Sequence, residues 1–132
     1  MSESPVVVAL VGHCGADASF LKRFVSRVDG HASVIRVGDE RSLRDAVESA
    51  GVMLVNRVLD GSFATSSGVE LIRMLSAARG DAARPALLLV SNYADARGEA
   101  EAAGAMPGFG KSDLRGPEAA SRLGAALRAA RC

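Results

Sequence analysis

Val52-Met53-Leu54-Val55-Asn56-Arg57-Val58-Leu59-Asp60-Gly61 is the stretch of sequence that decides the fold. Its continuous apolar run ends abruptly at Asn56, and a loop rich in Gly, Ser and Thr follows. This pattern is typical of a fully buried central strand in a parallel sheet. Ligands and chemistry in open α/β sheets gather at the carboxyl ends of the strands. Asn56 therefore stands where an active residue is expected, although its side chain is an amide.

Four further strands are predicted on either side of this stretch. Val6 to Val11 and Ala86 to Val90 are short apolar runs, as expected of buried strands. Ser33 to Val37 is predicted as the second strand. Ala105 to Phe109 has poor strand propensity, because it contains a Pro and a Gly, but its position favours a fifth strand.

Helical patterns separate the strands. The first helix carries apolar residues at helical spacing, and Asp17 or Ser19 could cap it. Asp39 precedes the second helix, and Pro117 opens the last one. The Ala-rich segment from about Asp95 to Ala103 has a glycine inside it and is predicted to be the least stable helix.

Strand and helix alternate five times over residues 1–132, without an internal repeat or a linker. This order predicts a single α/β domain of the flavodoxin-like type, with a doubly wound five-stranded parallel sheet flanked by five helices. All strands would then end at one rim. The residues expected there are Gly12-His13, Asn56, Ser91 and Gly110-Lys111. The loop from Arg57 to Ser67 is longer than the usual connection of about two to six residues, and such long loops tend to be functional.

Composition excludes several classes of protein. The net charge is +1 and no basic stripe is present, which argues against binding to nucleic acid. No apolar run approaches the roughly 20 residues of a membrane helix. The first five residues have no basic segment typical of a signal peptide, and Cys14 and Cys132 lie too far apart in sequence for a zinc motif. A reducing, cytoplasmic location is expected, with no disulfide framework.

The rim residues, in their order along the chain, resemble those of the receiver domain of bacterial two-component response regulators. The resemblance covers essentially the whole sequence. It implies an acidic pair after the first strand, a phospho-accepting Asp after the third, a hydroxyl residue after the fourth and a Lys after the fifth. Ser91 and Lys111 match the last two positions, and Leu59-Asp60-Gly61 is similar to the loop of the family.

The other rim positions depart from this family. Gly12 and His13 replace the acidic pair, Asn56 replaces the phospho-acceptor, and Ser112 stands where a Pro usually follows the lysine. In the family the carboxylates hold Mg²⁺, an ion that prefers oxygen ligands in octahedral geometry. An amide nitrogen also cannot replace the carboxylate that forms an aspartyl phosphate. The resemblance therefore implies a pseudo-receiver with no catalytic residue, metal or cofactor. Its degenerate phosphorylation pocket would comprise Gly12, His13, Asn56, Ser91 and Lys111.

Several rim residues allow more than one interpretation. Asn56 is a polar residue satisfied by hydrogen bonds, a permanent mimic of one signalling state, or a site of deamidation to Asp, which would gain little without metal ligands. Asp60 could be a replacement nucleophile or simply a turn residue. Lys111 has no predicted carboxylate partner and is expected to reach water, a backbone carbonyl or the Asn56 amide oxygen. Ser91 either bonds to Asn56 or caps the segment that follows it.

Other chemistry has weaker support in the sequence. His13-Cys14 with Asp17 suggests a metal site, but a loop histidine is more often a plain polar residue. Cys14 would be a reactive thiol if Lys111 and the helix N-terminus lowered its pKa. Ala105 to Ser112 nearly matches a phosphate-binding loop, although a helix-like segment precedes it where such a loop requires a strand.

The expected function is that of a non-phosphorylatable receiver-like signalling module, not an enzyme, which acts by protein–protein interaction in a phosphorelay. Its partners would be a histidine kinase, a second regulator or another copy of the chain. The resemblance places the contact on the fourth helix, fifth strand and last helix. The alternative is a small-molecule or nucleotide-binding flavodoxin-like protein that uses the crevice near Gly12, Asn56 and Lys111. A cobalamin motif is absent, because Val11 stands two residues before His13 where that motif has Asp.

Overall fold

Strands and helices alternate along the chain in the computed structural model, which describes residues 5–82 and 84–131. The strands are β1 (Val7–Val11), β2 (Ser33–Val37), β3 (Val52–Asn56), β4 (Ala86–Val90) and β5 (Met106–Phe109). The α-helices are α1 (Gly15–Val28), α2 (Glu40–Ser49), α3 (Gly68–Arg79), α4 (Ala94–Ala102) and α5 (Pro117–Arg131). A short 3-10 helix covers Lys111–Asp113. Residues 1–4 and Cys132, which bear on the signal-peptide and cysteine predictions, lie outside the described residues.

The five strands form one parallel sheet in the order β2-β1-β3-β4-β5. This arrangement confirms the predicted doubly wound α/β fold, with β3 at its centre. Helices α1 and α5 pack on one face of the sheet, and α2, α3 and α4 pack on the other. Because the strands run in the same direction, their carboxyl ends share one rim.

Strand β3 is buried on both faces, which explains its continuous apolar sequence. Val52 and Leu54 belong to the core beneath α1 and α5, whereas Met53 and Val55 belong to the core beneath α2, α3 and α4. Each such side chain contributes about 1.5–3 kcal/mol by leaving water. Asn56 is the first residue of the strand that is not fully buried.

The residue that caps the N-terminus of α1 differs from the prediction. This helix begins at Gly15, and Cys14 occupies the N-cap position without a side-chain hydrogen bond. The prediction that Asp17 or Ser19 caps α1 is therefore wrong, since Asp17 already lies within the first turn. Asp39 does cap α2, where it exchanges hydrogen bonds with Ser42 in a capping box.

Strand β5 contains a bulge, and the glycine in its sequence explains it. Met106 pairs with Leu88 and Phe109 pairs with Val90, so β5 has one extra residue between the two pairs. A Cβ atom at Gly108 would overlap the carbonyl oxygen of Leu89. The glycine that weakens the strand propensity thus permits this close approach.

Candidate functional site

The rim of the sheet carries all five residues that the sequence singled out, but they do not share one cavity. Asn56, Ser91 and Lys111 line a crevice of about 200 Å³ between the ends of β3, β4 and β5. We call this the central crevice; its remaining lining residues are Arg57, Val58, Val90, Asn92 and Tyr93. His13 lines a separate depression with Arg36 and Asp60. Gly12 meets Asn56 only through its backbone carbonyl.

Asn56 uses both hydrogens of its amide group. Nδ2 donates to the carbonyl oxygen of Gly12 at 2.9 Å and to that of Val58 at 2.8 Å. The loop that follows turns closely around this residue, because a Cβ atom at Gly68 would overlap the Asn56 carbonyl oxygen. The amide hydrogens of Asn56 are thus satisfied, as its interpretation as a hydrogen-bonded polar residue requires. Its amide ties the end of β1 to the start of the β3–α3 loop.

His13 is a polar loop residue that the structure buries, which the sequence did not indicate. Only 5% of its surface is exposed. Its Nε2 donates to the carbonyl oxygen of Leu54 at 2.8 Å, which fixes the hydrogen on Nε2 because a carbonyl can only accept. Burial lowers the pKa of His13 to about 4. The neutral ring therefore joins the segment after β1 to the middle of β3.

Lys111 has a carboxylate partner, contrary to the prediction. Its Nζ lies 2.7 Å from Oδ2 of Asp17, and about a third of each side chain is exposed. The hydrogen bond from Lys111 lowers the pKa of Asp17. Asp17 stands four residues before Leu21, which is buried, so both lie on the sheet-facing side of α1. That spacing predicts the face of α1 on which Asp17 lies, but it does not identify Lys111 as its partner.

Ser91 caps the segment that follows it and does not bond to Asn56. Its Oγ accepts a hydrogen bond from the backbone N–H of Tyr93 at 3.1 Å. The next residue, Asn92, was missed by sequence reasoning. Its Oδ1 accepts from the backbone N–H of Ser112 at 3.0 Å, and its Nδ2 donates to Oγ of Ser112 at 3.0 Å. A proline at position 112 has no N–H and could not make the first bond.

The β3–α3 loop is tied across the ends of β1 and β2. The N–H of Asp60 donates to the Gly12 carbonyl oxygen at 2.9 Å, and the N–H of Ser62 donates to that of Gly38 at 3.0 Å. Gly61 has a φ of 128°, and a Cβ atom there would overlap the Gly38 carbonyl oxygen. Asp60 is exposed and lies outside the central crevice. These contacts favour its role as a turn residue.

The rim does not fit the magnesium ion that receiver-like folds imply. Within residues 5–82 and 84–131, no three His, Cys, Asp or Glu side chains are grouped closely enough to hold a metal. The carbonyl oxygens nearest Asn56 already accept its amide hydrogens. A cation beside Asn56 would have to displace both bonds and would find no carboxylate at positions 12, 13 or 56.

The phosphate-loop interpretation is also unsupported by the local structure. Met106–Phe109 form a strand, and Lys111–Asp113 form a single 3-10 turn. A phosphate loop requires a helix to begin at this lysine. Among the described residues, no helix is long and apolar enough to span a membrane.

Solved structures match this chain, whereas models of protein families and curated proteins give no match. The signal receiver domain of a DNA-binding response regulator from Colwellia psychrerythraea 34H aligns with a TM-score of 0.70 at 12% identity, covering 93% of this chain and 98% of that one. The receiver domain of the stress response regulator RcsB from Escherichia coli gives 0.67 at 13% identity, with coverages of 93% and 95%. The chemotaxis response regulator CheY4 of Vibrio cholerae gives 0.59 at 16% identity, with coverages of 97% and 99%. Similarity at such low identity establishes the fold.

Proposed function

We propose that this chain, which has the fold of response regulator receiver domains, is a signalling module that cannot be phosphorylated and acts by binding other proteins. The proposal includes a cytoplasmic location and no enzymatic activity. Within a single domain, Asn56, Ser91 and Lys111 would form the degenerate phosphorylation pocket, with Gly12 and His13 beside it at the rim. The hydrogen bonding of Asn56 is the observation that carries the proposal.

The amide of Asn56 supplies no nucleophile for phosphorylation, and it occupies the carbonyl oxygens beside it. It offers no carboxylate oxygen to attack a phosphoryl donor. Its Nδ2 also holds the carbonyl oxygens of Gly12 and Val58, so these atoms are already paired with hydrogen-bond donors. The start of the β3–α3 loop is thereby held in one arrangement without a phosphoryl group or a cation.

Lys111 is also bound to another residue of the chain. Lys111 pairs with Asp17 on α1. A phosphorylation switch needs a ligand that distinguishes two states. Here Asn56 and Lys111 each have hydrogen-bond partners within the chain, which supports a constitutive binding surface.

The contact surface of the proposal consists of α4, β5 and α5. Helix α4 buries only Ala100, and its exposed residues include Asp95, Glu99 and Glu101, so its outer face is acidic. Arg122 of α5 donates to the carbonyl oxygen of Gly108 in β5 at 2.6 Å and pairs with Glu118 on its own helix. Helix α5 and β5 are thus joined. The partners of the proposal are a histidine kinase, a second regulator or another copy of the chain.

The test is exposure of the full chain to acetyl phosphate, and separately to beryllofluoride, with Mg²⁺ present and absent. Intact mass spectrometry is expected to find no phosphoryl adduct under any condition. Beryllofluoride is expected to cause no Mg²⁺-dependent shift of the Asn56 and Val58 amide signals. A covalent adduct on the rim, or a Mg²⁺-dependent beryllofluoride complex, would overturn the proposal.

A further inference from the structure

The central crevice is lined by positive charge alone. Its charged side chains are Arg57 and Lys111, and no carboxylate lines it. Arg57 lies over the ring of Tyr93, with 4.7 Å between the guanidinium carbon and the ring centroid. A cavity with two basic side chains favours a small anion, because each cation attracts negative charge.

The crevice also holds a buried hydrogen-bond donor. The Ser91 side chain is buried, and its Oγ accepts from the Tyr93 N–H. Within residues 5–82 and 84–131, its hydroxyl hydrogen has no acceptor. Asn56 adds no donor, since both of its amide hydrogens are bound elsewhere. Ser91, Arg57 and Lys111 are therefore among the side chains that could bind an anion.

We propose that the central crevice receives the carboxylate side chain of an Asp or Glu residue from a partner protein. Rim position 56 lacks a carboxylate in this chain, and the partner supplies one without a covalent bond. A volume of about 200 Å³ accommodates such a group. Tyr93 and Val58 are 63% and 54% exposed at its edge and offer apolar contact to the adjoining residues. This inference rests on the proposed function, because it names what the bound partner presents.

The neighbouring groove specifies more of the partner. A larger groove of about 740 Å³ shares Arg57, Val58 and Tyr93 with the crevice. Its lining adds the acidic residues Glu70, Asp95 and Glu99, of which only Glu70 has an ion-pair partner among the described residues. Charge complementarity therefore favours a partner segment with a basic residue next to its inserted acid.

Asp17 of this chain competes with the proposed ligand for Lys111. It binds the same Lys111 ammonium that would meet the carboxylate of the partner, at 2.7 Å. Both side chains are about one-third exposed, so the pair is partly accessible to solvent and to a ligand. Removing the charge of Asp17 should release Lys111 and strengthen binding, which a purely structural role of the crevice does not predict.

The experiment is an amide-shift titration of the full chain with N-acetylaspartate methylamide, a mimic of one acidic residue. Its matched neutral probe is N-acetylasparagine methylamide, and inorganic phosphate is the third probe. We expect the acidic probe to saturate the shifts of Ser91, Asn92 and Lys111 with a dissociation constant of about 1–10 mM. The neutral probe should give no saturable shift.

Three variants and one control refine the test. Lys111→Gln and Arg57→Gln should each weaken binding about fivefold or more, and Asp17→Asn should strengthen it about two- to fivefold. Lys22→Gln is the matched control, because Lys22 is exposed on α1 and outside the crevice. It should leave binding unchanged.

Several results would overturn the inference. These are no saturable shift with the acidic probe at about 50 mM, equal binding of the neutral probe, binding that Lys111→Gln leaves unchanged, or binding of phosphate without binding of the acidic probe. All of these results concern reversible, non-covalent binding. Failure of the inference is therefore distinguishable from failure of the proposed function, which appears as a covalent adduct or a Mg²⁺-dependent complex.

Discussion

Asn56 donates one amide hydrogen to the carbonyl oxygen of Val58, two residues further along the chain, at 2.8 Å. The other hydrogen goes to the carbonyl oxygen of Gly12, 44 residues earlier in the chain. One bond shapes the loop that leaves β3, and the other fastens that loop to the end of β1. A carboxylate in this place could make neither bond, because an ionised carboxylate only accepts hydrogen bonds.

Asn56→Asp should therefore destabilise the protein. Two hydrogen bonds are lost, and negatively charged oxygens would face two carbonyl oxygens, for a cost of about 1–3 kcal/mol in the free energy of unfolding. Urea denaturation at pH 7 measures this change. Adding Mg²⁺ should not restore the loss, since positions 12 and 13 supply no carboxylate.

Asn92→Asp is the matched control for that substitution. Asn92 is exposed, and an Asp there still accepts from the Ser112 N–H. Its cost should stay within about 1 kcal/mol. Full recovery of Asn56→Asp stability by Mg²⁺ would show that the rim can hold a cation after all.

His13 should make stability depend on pH. Burial lowers the pKa of His13 in the folded protein to about 4, against 6.5 for an unperturbed histidine. The unfolded chain thus binds more protons between these values, and stability falls as pH falls from about 6.5 towards 4. The loss attributable to His13 is about 3 kcal/mol at the lower end.

Comparison with His13→Gln isolates this effect from the carboxylates, whose lowered pKa values also reduce stability in acid. The glutamine amide can still donate to the Leu54 carbonyl oxygen but does not titrate in this range. Urea midpoints measured from pH 4.5 to 7 should show a shallower slope for this variant. Equal slopes for wild type and His13→Gln would contradict the assignment.

Local side-chain patterns predicted most of the strands, whereas contacts between residues far apart in sequence could not be predicted. Strand β3 was predictable because a strand buried on both faces must be apolar along its length. Strand β5 was predicted only by its place in the alternation. The pair between Asp17 and Lys111 spans 94 residues of sequence, and no local pattern includes both. The partners of the Asn56 amide are backbone carbonyls, which every residue has, so residue types could not identify them.

Ser112→Pro should weaken the rim more than Ser112→Ala. Proline has no N–H and so removes the hydrogen bond that Ser112 donates to Asn92. It also disfavours a helical backbone at the preceding residue, Lys111, which begins the 3-10 turn. We expect a loss of about 2 kcal/mol for Ser112→Pro and less than about 1 kcal/mol for Ser112→Ala, which loses only the hydroxyl. Urea denaturation distinguishes the two. An equal loss would show that the backbone bond contributes little.

The pair between Lys111 and Asp17 should contribute little to stability despite its short distance. Both side chains are about one-third exposed, so solvent screens their attraction. A double-mutant cycle of Lys111→Gln and Asp17→Asn should give a coupling of no more than about 1 kcal/mol, which decreases at about 1 M salt. Because the hydrogen bond lowers the pKa of Asp17, this contribution is present at neutral pH and is lost as pH falls through that pKa. A coupling insensitive to salt would contradict the assignment.

Gly98→Ala tests the prediction that α4 is the least stable helix. Gly98 lies inside α4, and nothing lies within 4 Å of a Cβ atom built there. Alanine should therefore stabilise the helix by about 0.5–1 kcal/mol, because glycine loses more backbone freedom on folding. Hydrogen exchange should show slower exchange of the α4 amides, with little change elsewhere if α4 opens independently of the sheet.

Gly104→Ala is the contrasting control, two residues beyond the end of α4. Gly104 has a φ of 118°, and a Cβ atom there would overlap the Ser76 side chain. Its replacement should destabilise the protein and accelerate exchange in α4 and α3, because the new methyl group pushes against both the backbone and the neighbouring helix. If Gly98→Ala left α4 exchange unchanged while Gly104→Ala accelerated it, the stability of α4 would depend on its contact with α3 and not on its own helix propensity.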